Sequence, residues 1–293
     1  MNTSDSEHIS VLADEVLHWL QPCAGQVLVD GTLGGGGHTR LLASAVIPNG
    51  QVITLDRDLA SIERGRQSLA ELPVICVHSN FCDLAEVLEN QGVQPVHGIL
   101  LDLGISSDQL ADDSRGFSFN ASGPLDMRFN AEEGESVAEL INRVREKQLA
   151  DLIYEYGEER RSRRIARKII EERKQTPIRD SAHLARIVRS CFPRPASGRI
   201  DSATRTFQAL RIAVNGELEA LDEALKVFPD LLAKGGRLAI ISFHSLEDRR
   251  VKYAFRDDAR LKVLTRKPVV AGELERMRNS RSRSAKLRVA ERV

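Results

Sequence analysis

The stretch Asp30-Gly-Thr-Leu-Gly-Gly-Gly-Gly-His38 is the densest cluster of ligand-binding signals in the chain. Its glycines let main chain approach a small molecule closely, and a helix starting at its end favours negative charge. Spacing separates the ligands that use such loops. A phosphate-binding loop ends in Gly-Lys-Ser/Thr, whereas Gly36 is followed by Gly37 and His38. A dinucleotide loop needs G-x-G-x-x-G. No register of Gly31 and Gly34–Gly37 supplies it, because positions 39 and 40 are Thr and Arg. What remains is an acid-ended strand followed by a glycine cluster, which suits a cofactor without phosphate. S-adenosylmethionine is such a cofactor, and its amino-acid end needs close main-chain approach rather than a phosphate cradle.

Two more acids end apolar runs. Asp56 stands 26 residues after Asp30, where one carboxylate can take both hydroxyls of a ribose. The alternative is a solvated acid at a strand end. Asp102 closes the run HGILLDL. His244 follows the last buried run in SFHSLEDR, placed either for a substrate base or phosphate or for bonding a neighbouring loop. The four cysteines, Cys23, Cys76, Cys82 and Cys191, form no C-x-x-C pair, so neither a zinc site nor a redox motif is expected.

These residues need a sheet to position them. Strands are predicted at Gln26–Asp30, Gln51–Asp56, Val74–His78 and His97–Leu103, with helices between them over His38–Ile47, from Asp58 to about Leu72, and over Leu84–Gln91. Nearly all-apolar strands alternating with helices mean a parallel sheet buried on both faces. From Ser106 to Thr204 the alternation stops. A loop-like stretch, Asp112–Gly134, leads into helical patterns at Ser136–Val144, Glu146–Tyr156, Glu158–Lys174 and Ser181–Ser190. The α/β pattern then resumes with one long helix from Thr206 to Ala233 and a strand at Arg237–Phe243. A helix at Glu247–Phe255 and β-like runs at Leu261–Arg266 and Ala285–Ala290 complete it. The division is therefore a core over 1–105 and 205–293 and a helical insert over 106–204.

The chain has 293 residues, 42% of them hydrophobic, which allows a substantial core. Lys+Arg and Asp+Glu are 42 each, so any nucleic-acid contact must come from local patches. One patch is Arg160, Arg161, Arg163, Arg164, Arg167 and Lys168, flanked by acids that can pair with it. The other is the tail Arg276, Arg278, Arg281, Arg283, Lys286, Arg288 and Arg292, opposed by Glu275 and Glu291; part of this group is expected on phosphates. No secretory signal is visible over Met1–Ser10, and no apolar run is long enough for a bilayer span. The scattered cysteines suit a reducing cytosol.

Several long strings resemble the bacterial 16S ribosomal RNA cytosine-N4 methyltransferases (the RsmH/MraW family). They include HISVL at 8–12, DGTLGGGGH at 30–38, LDRD at 55–58, GILLDLGISSDQL at 98–110, RGFSF at 115–119 and GPLDMRF at 123–129. YGEER at 156–160, RTFQALRI at 205–212, GGRLAIISFHSLEDRRVK at 235–252 and RSRSAKLRVAER at 281–292 follow in the same order. The resemblance implies a class I, Rossmann-like S-adenosyl-L-methionine-dependent methyltransferase sheet with an inserted helical domain that recognises RNA. It implies cofactor contacts at Gly36, Gly37, His38, Asp56, Phe81, Asp102 and Gln109, with Phe81 walling an adenine pocket or serving as core. It implies as substrate a cytidine in the decoding region of 16S rRNA in the small ribosomal subunit, a cytoplasmic protein, no membrane partner, and allows a homodimer. Two departures stand out: Lys267–Asn279 is shorter than usual, and Phe129 replaces a common Met.

A cytosine amine is a weak nucleophile because its lone pair is conjugated with the ring, so an acceptor must draw on its N–H bonds beside the methyl donor. Asp102 is the catalytic candidate, although Asp102-Leu-Gly-Ile-Ser lacks the Pro-Pro-Tyr that follows the acid in other amino-methyltransferases. Arg128 and His244 are substrate-binding candidates. Phe117 and Phe119 would stack on the base or pack the insert. No cysteine lies in the loops after the fourth and fifth strands; Cys82, on the adenine side, is not well placed as a nucleophile but is near enough to check. A small-molecule methyltransferase, a methyltransferase-fold ribosome assembly factor without turnover, and a nicotinamide dehydrogenase are the competing readings; the last is disfavoured by the failed fingerprint.

Overall fold

The computed structural model describes residues 10–119, 123–193 and 201–293; His8 and Ile9 of the HISVL string lie outside them. Contacts divide the chain into two units: one runs to Ile105 and resumes at Leu218, and the other is Ser106–Glu217.

The first unit opens with α1 (Ala13–Leu20), β1 (Val27–Asp30), α2 (Gly37–Val46), β2 (Gln51–Asp56), α3 (Leu59–Ser68), β3 (Val74–His78), α4 (Leu84–Asn90) and β4 (Val96–Asp102). The helices of the second unit are α5 (Ser107–Ala111), α6 (Val137–Arg143), α7 (Glu146–Gly157), α8 (Ser162–Arg173), α9 (Ser181–Ser190) and α10 (Thr204–Asn215). The chain then returns through α11 (Glu217–Leu231), β5 (Leu232–Ser242), α12 (Ser245–Asp257), β6 (Leu261–Val263), α13 (Glu273–Arg278) and β7 (Lys286–Arg292).

The seven strands form one sheet in the order β3-β2-β1-β4-β5-β7-β6. The first five are parallel in register, and β7 runs antiparallel between β5 and β6. Alternation along the strands explains the two helical layers. Leu28, Val52, Leu100 and Ile241 face Val16, Leu20, Leu42 and Val46 of α1 and α2. Val29, Ile53, Leu101 and Ile240 face Leu84 and Leu88 of α4, Leu225 and Phe228 of α11, and Val251 and Phe255 of α12. A sheet covered on both sides needs apolar residues at every strand position, which is why these runs lack polar alternation. The progression of strand order across the sheet reverses between the parallel neighbours β1 and β4, and a crevice forms at the carboxyl ends of strands at such a point.

In the second unit, α7 packs on α10: a Cβ on Gly157 would lie 2.6 Å from the Arg205 carbonyl oxygen, and Gln208 donates to the Tyr156 carbonyl at 3.1 Å. Arg173 ties α8 to the carbonyls of Ile141 and Val144. In the stretch before α6, Gly123 sits so close to the Asp113 carbonyl that a Cβ would lie 1.6 Å from it.

Three expectations change. The single helix from Thr206 is two, because Gly216 adopts φ 58° and caps α10. The helix expected from Glu158 starts at Ser162, because Glu158 takes a left-handed conformation that ends α7. The return to the core comes at Leu218 rather than 205, since α10 packs with α7. Among the described residues no helix is long and apolar enough to cross a membrane.

Candidate active site

β1, β2 and β4 each end in an aspartate on the same edge of the sheet, and the glycine loop joins them. Leu33 donates to the Leu55 carbonyl at 2.8 Å and Gly31 to the Leu100 carbonyl at 2.9 Å, pinning the loop to both neighbouring strands. Gly31 admits no larger residue: a Cβ there would lie 2.4 Å from Leu101 Cδ2 and 3.1 Å from Phe81 Cβ. Gly36, at φ 78°, is the N-cap of α2 and offers no side chain, so the first main-chain N–H groups of that helix have no side-chain cap.

Asp30 is fully buried. Its Oδ2 accepts from Thr39 Oγ1 at 2.7 Å and its Oδ1 from the Thr32 main chain at 3.2 Å. The Thr32 hydroxyl also accepts from the main-chain N–H of Asp102 at 2.6 Å, so Thr32 couples the ends of β1 and β4. Asp56 accepts from Gly34 N–H through Oδ2 and from Asp58 N–H through Oδ1, each at 2.8 Å. His38 is buried on the first turn of α2, its Nε2 3.9 Å from Asp102 Oδ2. Phe81 opens a short helical turn after β3 and is partly buried against the core.

Burial pushes the Asp30 carboxyl up to about 6; neighbouring His38 and the Thr39 bond oppose the shift. Burial also raises Asp56, against the two main-chain donors that favour its charge. The sign for Asp30 follows from linkage. Protonation is favoured in the folded state, so this contribution to stability is full below pH 3.8 and is lost as pH rises through about 6. Asp30→Asn should therefore flatten the melting temperature between those pH values and raise stability at pH 7.5, by at most about 3 kcal/mol for a shift of roughly two pKa units. Thermal melts at several pH values decide it; an unchanged pH dependence would exclude Asp30 as the source.

The predicted residues thus divide. Gly36, Gly37, His38, Asp56, Phe81 and Asp102 belong to the first unit. Gln109 and Arg128 belong to the second, and both side chains have local structural work. Gln109 Oε1 accepts from Ser106 N–H at 3.0 Å while Ser106 Oγ accepts from Gln109 N–H, closing a capping box on α5. Arg128 grips both oxygens of Asp126 at 2.8 Å and donates to the Gly134 carbonyl. His244 is the N-cap of α12: its Nδ1 accepts from Glu247 N–H at 3.4 Å, and its Nε2 lies 3.1 Å from Glu247 Oε1. Phe117 is buried and stacks on Phe129, with ring centres 5.8 Å apart, which removes it as an open stacking surface. Phe119 meets Phe207 edge-on. In the tail, Arg288 is 7% exposed and bound to Asp248, so it is a structural cation rather than a phosphate ligand. Sequence reasoning missed Thr32 and Thr39; the signal was a Thr on either side of the glycines, each one bond from Asp30.

The arrangement of a 3-2-1-4-5-7-6 sheet, a glycine loop and carboxylates at the ends of β1, β2 and β4 defines a Rossmann-like, class I methyltransferase that takes S-adenosyl-L-methionine. Its chemistry fits that donor: the carboxylates suit a cationic ligand with a ribose diol. The MraW methylase family matches residues 5–293, and the chain belongs to that family. Among its relatives, the ribosomal RNA small subunit methyltransferase H of Deinococcus radiodurans is 51% identical over 287 residues, covering 98% of this chain and 90% of that protein. The protein of the same name from Geobacter sp. strain M21 is 47% identical over 310 residues, covering 99% of each. The one from Synechococcus elongatus is 50% identical over 293 residues, covering 99% of this chain and 96% of its own length.

Proposed function

We propose that the protein transfers the methyl group of S-adenosyl-L-methionine to the N4 amine of a cytidine in the decoding region of 16S rRNA. The observation that carries this reading is the end-to-end match to ribosomal RNA small subunit methyltransferases, on a chain whose glycine loop and strand-end carboxylates are intact. Gly36, Gly37 and His38 would hold the amino-acid end of the cofactor, Asp56 the ribose and Phe81 the adenine. Bound there, the cofactor supplies an electrophilic methyl on a sulfonium. Asp102 would accept one N–H of the amine, turning the nitrogen toward tetrahedral geometry, and would take up the proton released as the N–C bond forms and the methyl–sulfonium bond breaks to leave a neutral thioether.

His244 and Arg128 contact the RNA in this reading, and the insert supplies part of the binding surface. On α8 and just before it, Arg160, Arg163 and Arg164 are exposed and carry no ion pair among the described residues. Arg161 is held by the Cys191 carbonyl, Arg167 by Glu146 and Lys168 by Glu172. A cytoplasmic location, the small ribosomal subunit as partner and a homodimer belong to the same reading.

The product position tests the mechanism. Methylation at ring carbon C5 requires a thiolate that first adds to the ring. Cys82, just after β3, is pushed up to about 11 by burial and by the Asp83 carboxylate beside it, so it is a thiol at neutral pH. Digestion of RNA methylated in vitro should release N4-methylcytidine, and Cys82→Ser should keep at least half the activity. A C5-methyl product, or a folded Cys82→Ser protein without activity, overturns the mechanism. Cofactor binding with no RNA methylation would favour the small-molecule or assembly-factor reading.

A further inference from the structure

The segment 272–284 leaves the sheet beside β7, where Val269 and Leu287 exchange two main-chain bonds of 2.9 Å, and crosses over the carboxyl ends of β4 and β5. Arg281 fixes it there, donating to the Ile105 carbonyl at 2.6 Å with its guanidinium 5.7 Å from the Phe243 ring centre. Glu275 Oε1 accepts from Leu12 N–H at 2.8 Å. Ala271 and Ala285 bury the two ends in the core. The strap is thus anchored three residues beyond Asp102, on the side of the sheet where the crevice opens.

Yet its outer face is apolar. Leu274 and Met277, three residues apart on α13, are 72% and 77% exposed, more than any other large hydrophobic among the described residues. Arg276 and Arg278 flank Met277 in the same helix and Arg283 lies in the turn that follows; all three are exposed and carry no ion pair among the described residues. With Glu275 and Arg281 engaged, three arginines face the single acid Glu273.

We propose that this strap docks the RNA substrate, with Arg276, Arg278 and Arg283 on backbone phosphates and Leu274 and Met277 against bases next to the target cytidine. The proposal rests on the function proposed above and adds to it a recognition surface on the methyltransferase core. A base taken out of its stack leaves its neighbours with bare faces, and apolar side chains pushed between base steps cover such faces. Cations beside them neutralise phosphates and fix register. A protein partner would use the apolar pair but has no need of three unneutralised arginines around it.

The test uses the full chain and two variants, Leu274→Ser with Met277→Ser, and Arg276→Gln with Arg278→Gln and Arg283→Gln. Methylation of small-subunit particles lacking the modification gives kcat and KM, calorimetry gives cofactor affinity, and sedimentation gives oligomeric state. The arginine variant should raise KM at least tenfold and lower the salt slope of RNA binding by about two to three. The apolar variant should lower kcat/KM at least tenfold with the salt slope unchanged. Cofactor affinity should stay within twofold in both. Wild-type kcat/KM in both variants overturns the strap while leaving the proposed function standing, as does a changed oligomeric state with unchanged kinetics. Failure of the wild-type chain to methylate RNA overturns the function itself, and the strap with it.

Discussion

Asp102→Asn should lower the turnover of RNA methylation by about 10²–10³-fold, the range seen when one preorganised group is removed from a developing charge. The substitution keeps the shape of the side chain and removes its negative charge. Its main chain stays in place, because the Asp102 N–H is held by Thr32 Oγ1 at 2.6 Å whatever the side chain carries. The side chain is 13% exposed, so the lost charge is one that little solvent screens. Single-turnover kinetics with saturating cofactor would separate chemistry from binding. A fall in kcat with cofactor affinity preserved identifies Asp102 as the acceptor of the amine proton. A fall in affinity with kcat preserved makes it a cofactor ligand only, and the acceptor then lies elsewhere.

The second large effect is expected at Asp56. Removing a charged hydrogen-bond acceptor costs about 1.5–3 kcal/mol, which corresponds to a loss of about 10–100-fold in affinity for S-adenosyl-L-methionine in Asp56→Ala. That variant also strips partners from the N–H groups of Gly34 and Asp58, so its melting temperature should fall as well. Asp56→Asn separates the two effects, since it keeps one acceptor oxygen for the loop and loses the charge. Calorimetry should find both variants weakened, with Asn nearer to wild type in stability. Unchanged affinity in a folded Asp56→Ala protein would refute the ribose role.

The parts legible from sequence are those governed by local rules. The buried parallel strands were legible because their apolar runs lacked alternation, and Asp58 announced α3 as a cap whose side chain accepts from Ala60 N–H. Helix α1 and helix α13 went unseen: α1 starts after Leu12 in a left-handed conformation without a side-chain cap, and α13 is six residues long. The break at Gly216 was hidden because the apolar spacing continues through it on both sides. Site chemistry was legible where residue type alone decides, as at the glycine loop. It was not legible where a side chain's partner decides. Arg288 sits in a run of basic residues like any other, and only Asp248, 40 positions away in sequence, shows that it is structural. The pairing of Arg128 with Asp126 was hidden as well, because it lies in an irregular stretch that no periodicity describes.

The neighbours β4 and β5 are joined by six hydrogen-bonded registers, yet β4 ends at Asp102 and β5 begins at Leu232. During synthesis at about 5–20 residues per second, β4 leaves the ribosome on the order of ten seconds before its partner. Through that interval β4 is an open sheet edge, and Val29, Ile53, Ile99 and Leu101 lack the cover that α11 and α12 later provide. An apolar face beside an unpaired strand is the template on which chains misassociate. The nascent N-terminal half is therefore expected to be most open to misassociation until residues 218–293 follow, and pulse-labelled chains stalled before Leu232 should aggregate more than full-length ones.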